Sequence, residues 1–118
     1  MDLNAIMTEI RNNPDFSRAG MVLIHYGVVR SFDLKGREVE SLEIEVHPER
    51  VEEIKTEMLN RPGIVEIIVG FNPGRLKVGE PIMVAAVAGG TRPQVFPVLE
   101  ELVDKLKREG VTKTQHFA

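Results

Sequence analysis

Between Gly70 and Lys113 the chain commits itself to a strand that runs into a helix. A Pro73-Gly74 turn leads through Arg75-Leu76-Lys77-Val78-Gly79-Glu80 into an apolar strand, Ile82–Ala88. Gly89-Gly90-Thr91-Arg92 follows, then an amphipathic helix that ends in Lys105-Leu106-Lys107. A strand that feeds an arginine onto a helix start makes a natural anion site, because free backbone N–H groups and a guanidinium converge there. A lysine further along the same helix can then stand as the reactive group beside that anion.

The rest of the chain is organised around this unit. Apolar groups at Leu3, Ile6, Met7 and Ile10 have helical spacing over residues 3–12, and Asn12-Asn13-Pro14 ends that helix. Residues 15–20 read as a loop, and Met21–Val29 is apolar and β-branched enough for a buried strand. After a polar connection, Ser31–Arg37, the stretch Val39–Val46 alternates: Leu42, Ile44 and Val46 face one way, Glu43 and Glu45 the other. That pattern predicts a half-solvated strand paired with the first. Pro48 suits the first turn of a helix whose inner face carries Val51, Ile54 and Met58, and Arg61-Pro62-Gly63 stops it. Ile64–Val69 and Ile82–Ala88 add two strands, with turns at Asn72-Pro73-Gly74 and Val78-Gly79-Glu80 between them. The last helix has Val95, Leu99, Leu102, Val103 and Leu106 on one face. Pro97 must lie in its first turn or kink it, so regular helix is expected from about Gln94 onward. The order αββαββα around a mainly antiparallel sheet is an α+β fold.

Composition narrows the function. A chain of 118 residues suits one domain over residues 1–118 and buries roughly two-thirds of its unfolded surface. With 28% charged and 42% hydrophobic residues it is a soluble folded protein. A net charge of −3 without a run of Lys or Arg gives no reason to expect nucleic acid. The lack of cysteine excludes disulfides, thiolate metal sites and a cysteine nucleophile, and fits a cytoplasmic protein. His25, His47 and His116 are too scattered for a metal-ligand set, and no glycine-rich nucleotide motif is present. Met1-Asp2-Leu3-Asn4 does not open a signal peptide, and no apolar stretch approaches the roughly 18 residues of a membrane-spanning helix.

Five blocks, in order over residues 20–113, carry a resemblance. They are Gly20-Met21-Val22 with Gly27-Val28-Val29-Arg30; Gly36 through Leu42-Glu43; Gly74-x-Leu76-x-Val78-Gly79-Glu80; Arg92 with Phe96; and Asp104-x-Leu106-Lys107. Together they resemble the large, catalytic subunit of molybdopterin synthase, the MoaE family. The resemblance implies sulfur transfer without a metal or other cofactor. A ubiquitin-like small subunit carries a thiocarboxylate on its C-terminal Gly-Gly and inserts that tail into the large subunit. The large subunit binds cyclic pyranopterin monophosphate, and two sulfurs are delivered to make the dithiolene. The assembly it implies is a homodimer of large subunits within a heterotetramer.

The same residues have plainer readings. Lys107 lies one turn beyond Val103 and two beyond Leu99, so its stem runs beside apolar surface where an ammonium can lose solvation. It is the candidate catalytic lysine, or a snorkelling lysine favoured by the helix C-terminus. Arg92 binds phosphate at the helix start or is a solvated loop arginine. Arg30 binds substrate or pairs with an acidic neighbour such as Asp33. Lys113 stands for a second family lysine, although an ungapped count lands on Thr114. His25 and His47 read as structural, and His116 as part of a frayed, inert tail. Gly74, Gly79, Gly89 and Gly90 read as turn glycines.

Two departures from the family pattern bear on activity. Phe71-Asn72 stands where the family carries His-Arg, and Thr91-Arg92 where it carries His-Arg again. The chain ends at Ala118, where the family usually continues with a segment near the active site. The alternative they raise is a non-catalytic binding or regulatory relative that keeps the fold and the ubiquitin-like partner. A third reading is a generic small-anion-binding domain.

Overall fold

A computed structural model describes residues 2–118. Helix α1 spans Leu3–Arg11, and the Asp2 carboxylate caps it by accepting from the Asn4 amide at 2.9 Å. Its buried residues, Ile6 and Ile10, are spaced one turn apart. Strand β1 (Met21–Val28) follows a short 3₁₀ turn at Phe16–Arg18, within the expected loop. Then come β2 (Val39–Val46), α2 (Pro48–Leu59), β3 (Ile64–Phe71), β4 (Gly74–Lys77), β5 (Pro81–Gly89) and α3 (Arg92–Lys105). A π-helical turn, Leu106–Gly110, and strand β6 (Val111–Phe117) complete the chain.

The six strands form two antiparallel sheets, in the orders β1-β5-β3 and β4-β2-β6. β5 is central to the first because every residue from Met83 to Gly89 is buried and neither face can be left to water. Met83, Ala85 and Val87 face the core under α2 and α3, while Val84, Ala86 and Ala88 pack with Ile6 and Ile10 of α1. Alanines on both faces let the helices approach closely. Gly89 serves the same end: a Cβ there would stand 2.6 Å from Val95 Cγ2 and 2.8 Å from the Gly63 carbonyl oxygen. Its role is close packing rather than a turn, whereas Gly74 and Gly79 flank β4 with φ of 100° and 89°.

The expected pairing of β2 with β1 does not occur. β2 pairs with β4 through Leu42↔Leu76 and with β6 through Ile44↔Lys113, and β1 pairs with β5 instead. The alternation of β2 is correct: Leu42 and Ile44 are buried, Glu43 and Glu45 exposed. A strand with one wet face belongs in a sheet with one wet face, which the β1-β5-β3 sheet, packed on both sides, does not offer. The α+β class therefore stands, with β4 and β6 added to the expected order.

α3 begins at Arg92, two residues before the expected start, with a proline in its first turn. Pro97 lies inside the helix and contributes no N–H there. The helix stops at Lys105, and Lys107 belongs to the π turn that reverses the chain into β6. No helix is long and apolar enough to cross a membrane among the described residues.

Candidate functional site

A cavity of about 560 Å³ opens along the seam of the two sheets. The first sheet supplies His25 and Gly27 of β1, Phe71 of β3, and Ile82 and Met83 of β5. The second supplies Leu42 of β2 and Val111, Lys113 and Gln115 of β6. Lys107 enters from the π turn, and Arg30 from the end of β1. The floor is apolar, and the charge on its walls is all positive.

Strand periodicity explains why Lys113 points inward. Val111, Lys113 and Gln115 lie opposite Val46, Ile44 and Leu42, so these alternate positions share the inner face of the small sheet. Thr114 lies opposite the exposed Glu43 and belongs to the outer face. Of the two counts that sequence left open, the structure brings Lys113, not Thr114, to Lys107. The partial loss of water around Lys113 holds its ammonium below the ordinary lysine value, and the charges of Lys107 and Arg30 push it the same way. Its side chain keeps some contact with solvent, so burial acts on the part inside the cavity.

Arg30 does not pair with Asp33. Asp33 accepts at Oδ1 from the amides of Lys35 (2.9 Å) and Arg37 (2.8 Å), and at Oδ2 from Arg37 Nε (2.8 Å). Burial works to raise the Asp33 carboxyl, but these hydrogen bonds and the guanidinium charge outweigh it and hold the group below its usual value. Arg37 also lies over the Phe117 ring at 4.3 Å, which ties the loop to β6. The loop so fixed presents Phe32 and Leu34 at the cavity rim, the latter 90% exposed. Arg30, without an ion pair among the described residues, is left to the cavity.

Arg92 is not in this cavity. It sits exposed in the first turn of α3, while Lys107 lies beyond the last turn, so about 20 Å of helix separates them. The anion site read from the strand-to-helix step and the reactive lysine are thus at opposite ends of one helix within a single chain.

His25, read as structural, lines the cavity. Burial lowers its pKa from the ordinary imidazole value, and the Lys107 charge lowers it further. The signal was available in β1: His25 shares the alternation of Met21, Leu23 and Gly27, five positions before Arg30. His47 does have a structural contact, with Nε2 2.8 Å from Thr112 Oγ1 between α2 and β6. His116 is not in a frayed tail; it lies in β6 with Nε2 2.8 Å from Glu43 Oε1. Phe71 lines the cavity, whereas the Asn72 side chain donates to the Pro81 carbonyl at 3.0 Å. No cluster of His, Asp or Glu is placed to hold a metal ion among the described residues.

Comparison with known proteins identifies the family and the fold. The family model described as MoaE protein matches residues 1–109. The chain belongs to the MoaE family. A molybdopterin synthase catalytic subunit of Pyrococcus abyssi is 33% identical over 96 residues, covering 78% of this chain. The match spans 64% of that relative's length. The solved structure of molybdopterin cofactor biosynthesis protein E from Burkholderia multivorans superposes with a TM-score of 0.75 at 28% identity. It covers all of this chain and 84% of the other. A complex of subunits 1 and 2 of molybdopterin-converting factor from Helicobacter pylori gives a TM-score of 0.73, over 99% of this chain and 80% of the other. At 14% identity that likeness concerns the fold alone. The MoaE fold thus accounts for the two-sheet seam in which the cavity lies.

Proposed function

We propose that this MoaE protein transfers sulfur from a thiocarboxylated, ubiquitin-like small subunit to cyclic pyranopterin monophosphate in molybdenum cofactor biosynthesis. The observation that carries the reading is the convergence of Arg30, Lys107 and Lys113, from three separate elements, on one cavity. Such a site has the charge to hold a phosphate and a thiocarboxylate together. Lys107 is the reactive lysine. Lys113, shifted toward its neutral amine by burial and its cationic neighbours, assists by moving protons. Arg30 holds substrate.

The exposed Val28, Phe32 and Leu34 at the rim suit contact with a partner protein whose slender Gly-Gly tail enters between them. Arg92 fits the same reading as a substrate contact only if a second copy brings it to the cavity, in keeping with a homodimer at the centre of a heterotetramer. The second reading is a non-catalytic module that keeps the partner. It is favoured by Phe71, which gives the cavity an uncharged wall, and by Asn72, whose amide is occupied with Pro81.

A single-turnover assay with thiocarboxylated small subunit and cyclic pyranopterin monophosphate separates the two. Dithiolene formed by the wild type and lost in Lys107→Ala is the expected outcome. No product from a wild type that still binds the small subunit would leave the module reading in its place.

A further inference from the structure

The His25 Nε2 is buried and has no hydrogen-bond partner, alone among buried side-chain nitrogens and oxygens of the described residues. A buried polar atom left unsatisfied disfavours the fold, so its presence asks for a reason. The nitrogen extends along β1 over Gly27, where a Cβ would lie only 3.4 Å from it. Glycine at 27 leaves the imidazole this position; the ring lines the cavity with its Nε2 covered, and a turn about the side-chain torsions would bring that nitrogen to the cavity surface.

Arg30, Lys107 and Lys113, the charged groups lining the cavity, are donors only in their cationic forms. They answer a phosphate or a carboxylate well, but cannot accept a hydrogen bond from a nitrogen-rich ring. Gln115 is the one other polar side chain there, and it lies on the opposite sheet. His25 therefore supplies what the first-sheet wall otherwise lacks. The neutral form that acceptance requires is favoured by burial and by the Lys107 charge. Glu100 and Asp104 of α3 face His25 only from the adjoining groove.

We propose that His25 is a specificity-determining residue of this cavity, its Nε2 accepting a hydrogen bond from an N–H on the edge of the substrate's heterocycle. The proton of the neutral ring is then on Nδ1. This rests on the reading of the cavity as a pterin phosphate site, and assigns the ring, rather than the phosphate, to the β1 wall.

The test is calorimetric titration of two probes, a pterin monophosphate and inorganic phosphate, into wild type, His25→Phe, His25→Leu and His25→Gln. The expected result is a loss of about tenfold in pterin monophosphate affinity for the Phe and Leu variants. Phosphate affinity stays unchanged, and Gln, which can accept, recovers part of the loss. Thermal midpoints of the Phe and Leu variants equal or exceed that of wild type, since an unsatisfied nitrogen has been removed. Unchanged pterin monophosphate affinity in those variants, or an equal loss for both probes, overturns the assignment of His25 while leaving the cavity reading intact. A wild type that binds neither probe overturns the cavity reading and this inference with it. Imidazole ¹⁵N spectra of the wild type give a readout that needs no variant. The Nδ1–H tautomer is expected, with an Nε2 resonance that moves on adding pterin monophosphate and not on adding phosphate. An Nε2 resonance that ignores the pterin overturns the proposal.

Discussion

The two sheets of this protein solve opposite problems. The β1-β5-β3 sheet is packed on both faces, by α1 on one side and by α2 and α3 on the other, so its central strand carries no charge. The β4-β2-β6 sheet covers a small cluster of Val29, Leu42, Ile44, Leu76 and Val111, and turns Glu43, Glu45 and Thr114 outward. One sheet supplies most of the buried apolar surface; the other brings a lysine to the seam. Stability and chemistry are therefore expected to separate by sheet, and substitutions can break that expectation.

The largest effect belongs to the seam. Lys107→Ala is expected to slow single-turnover dithiolene formation by about 10²-fold or more, because the reactive amine itself is removed. Its urea midpoint should stay near wild type, because the residue is exposed. A rate loss matched by unfolding would assign Lys107 to the scaffold. Next comes the packing over the first sheet: Leu102, fully buried on the inner face of α3, should cost about 2–5 kcal/mol when changed to Ala. Thr114→Ala on the outer face of the small sheet should stay within about 0.5 kcal/mol by the same urea titration. Equal losses at the two positions would erase the contrast between the sheets.

Lys113→Met sharpens the comparison through pH. The folded-state pKa of Lys113 lies below its ordinary value of 10.5, so the unfolded chain binds more protons between the two. Stability from this group therefore rises with pH across that window, and its destabilising effect is complete below it. Lys113→Met should be the more stable protein near pH 7, with the advantage shrinking as pH approaches 10.5. Denaturation midpoints that differ by a constant across this range would contradict the assignment. A similarly small effect is expected at the wet face, where Glu43 meets His116 at 2.8 Å with both partners partly exposed. Glu43→Gln should change stability by less than about 1 kcal/mol, and a larger shift in the thermal midpoint would mean that this face carries more of the fold than its exposure suggests.

Legibility in sequence follows the same division. The apolar run of β5, the helical spacing in α1 and α2, and the alternation of β2 all record burial directly, and each was readable. What alternation cannot record is the partner of a strand. β4 is four residues opening on Gly74, and β6 reads Val111-Thr112-Lys113-Thr114-Gln115-His116-Phe117, polar through most of its length. Both are strands because β2 offers them hydrogen bonds, a tertiary cause that leaves little local trace. With them hidden, β1 is the nearest visible strand in sequence to pair with β2. Of the cations that line the cavity, Arg30 and Lys107 stand in the family blocks, whereas Lys113 is reached only by a gapped count because its strand is hidden. Arg92 was misplaced relative to Lys107 because both were counted on one helix without weighing its length. His25 was passed over because an apolar strand gives no hint that one of its nitrogens goes unpaired.

The π turn at Leu106–Gly110 has a mechanical consequence. It sends the chain straight back into β6, so Lys107 and Lys113 belong to a single reversal only a few residues long. Lys107 is thus anchored through its neighbour Leu106 to the main core while Lys113 is held by β2, so the two ammoniums act as a rivet through the join of the two packing units.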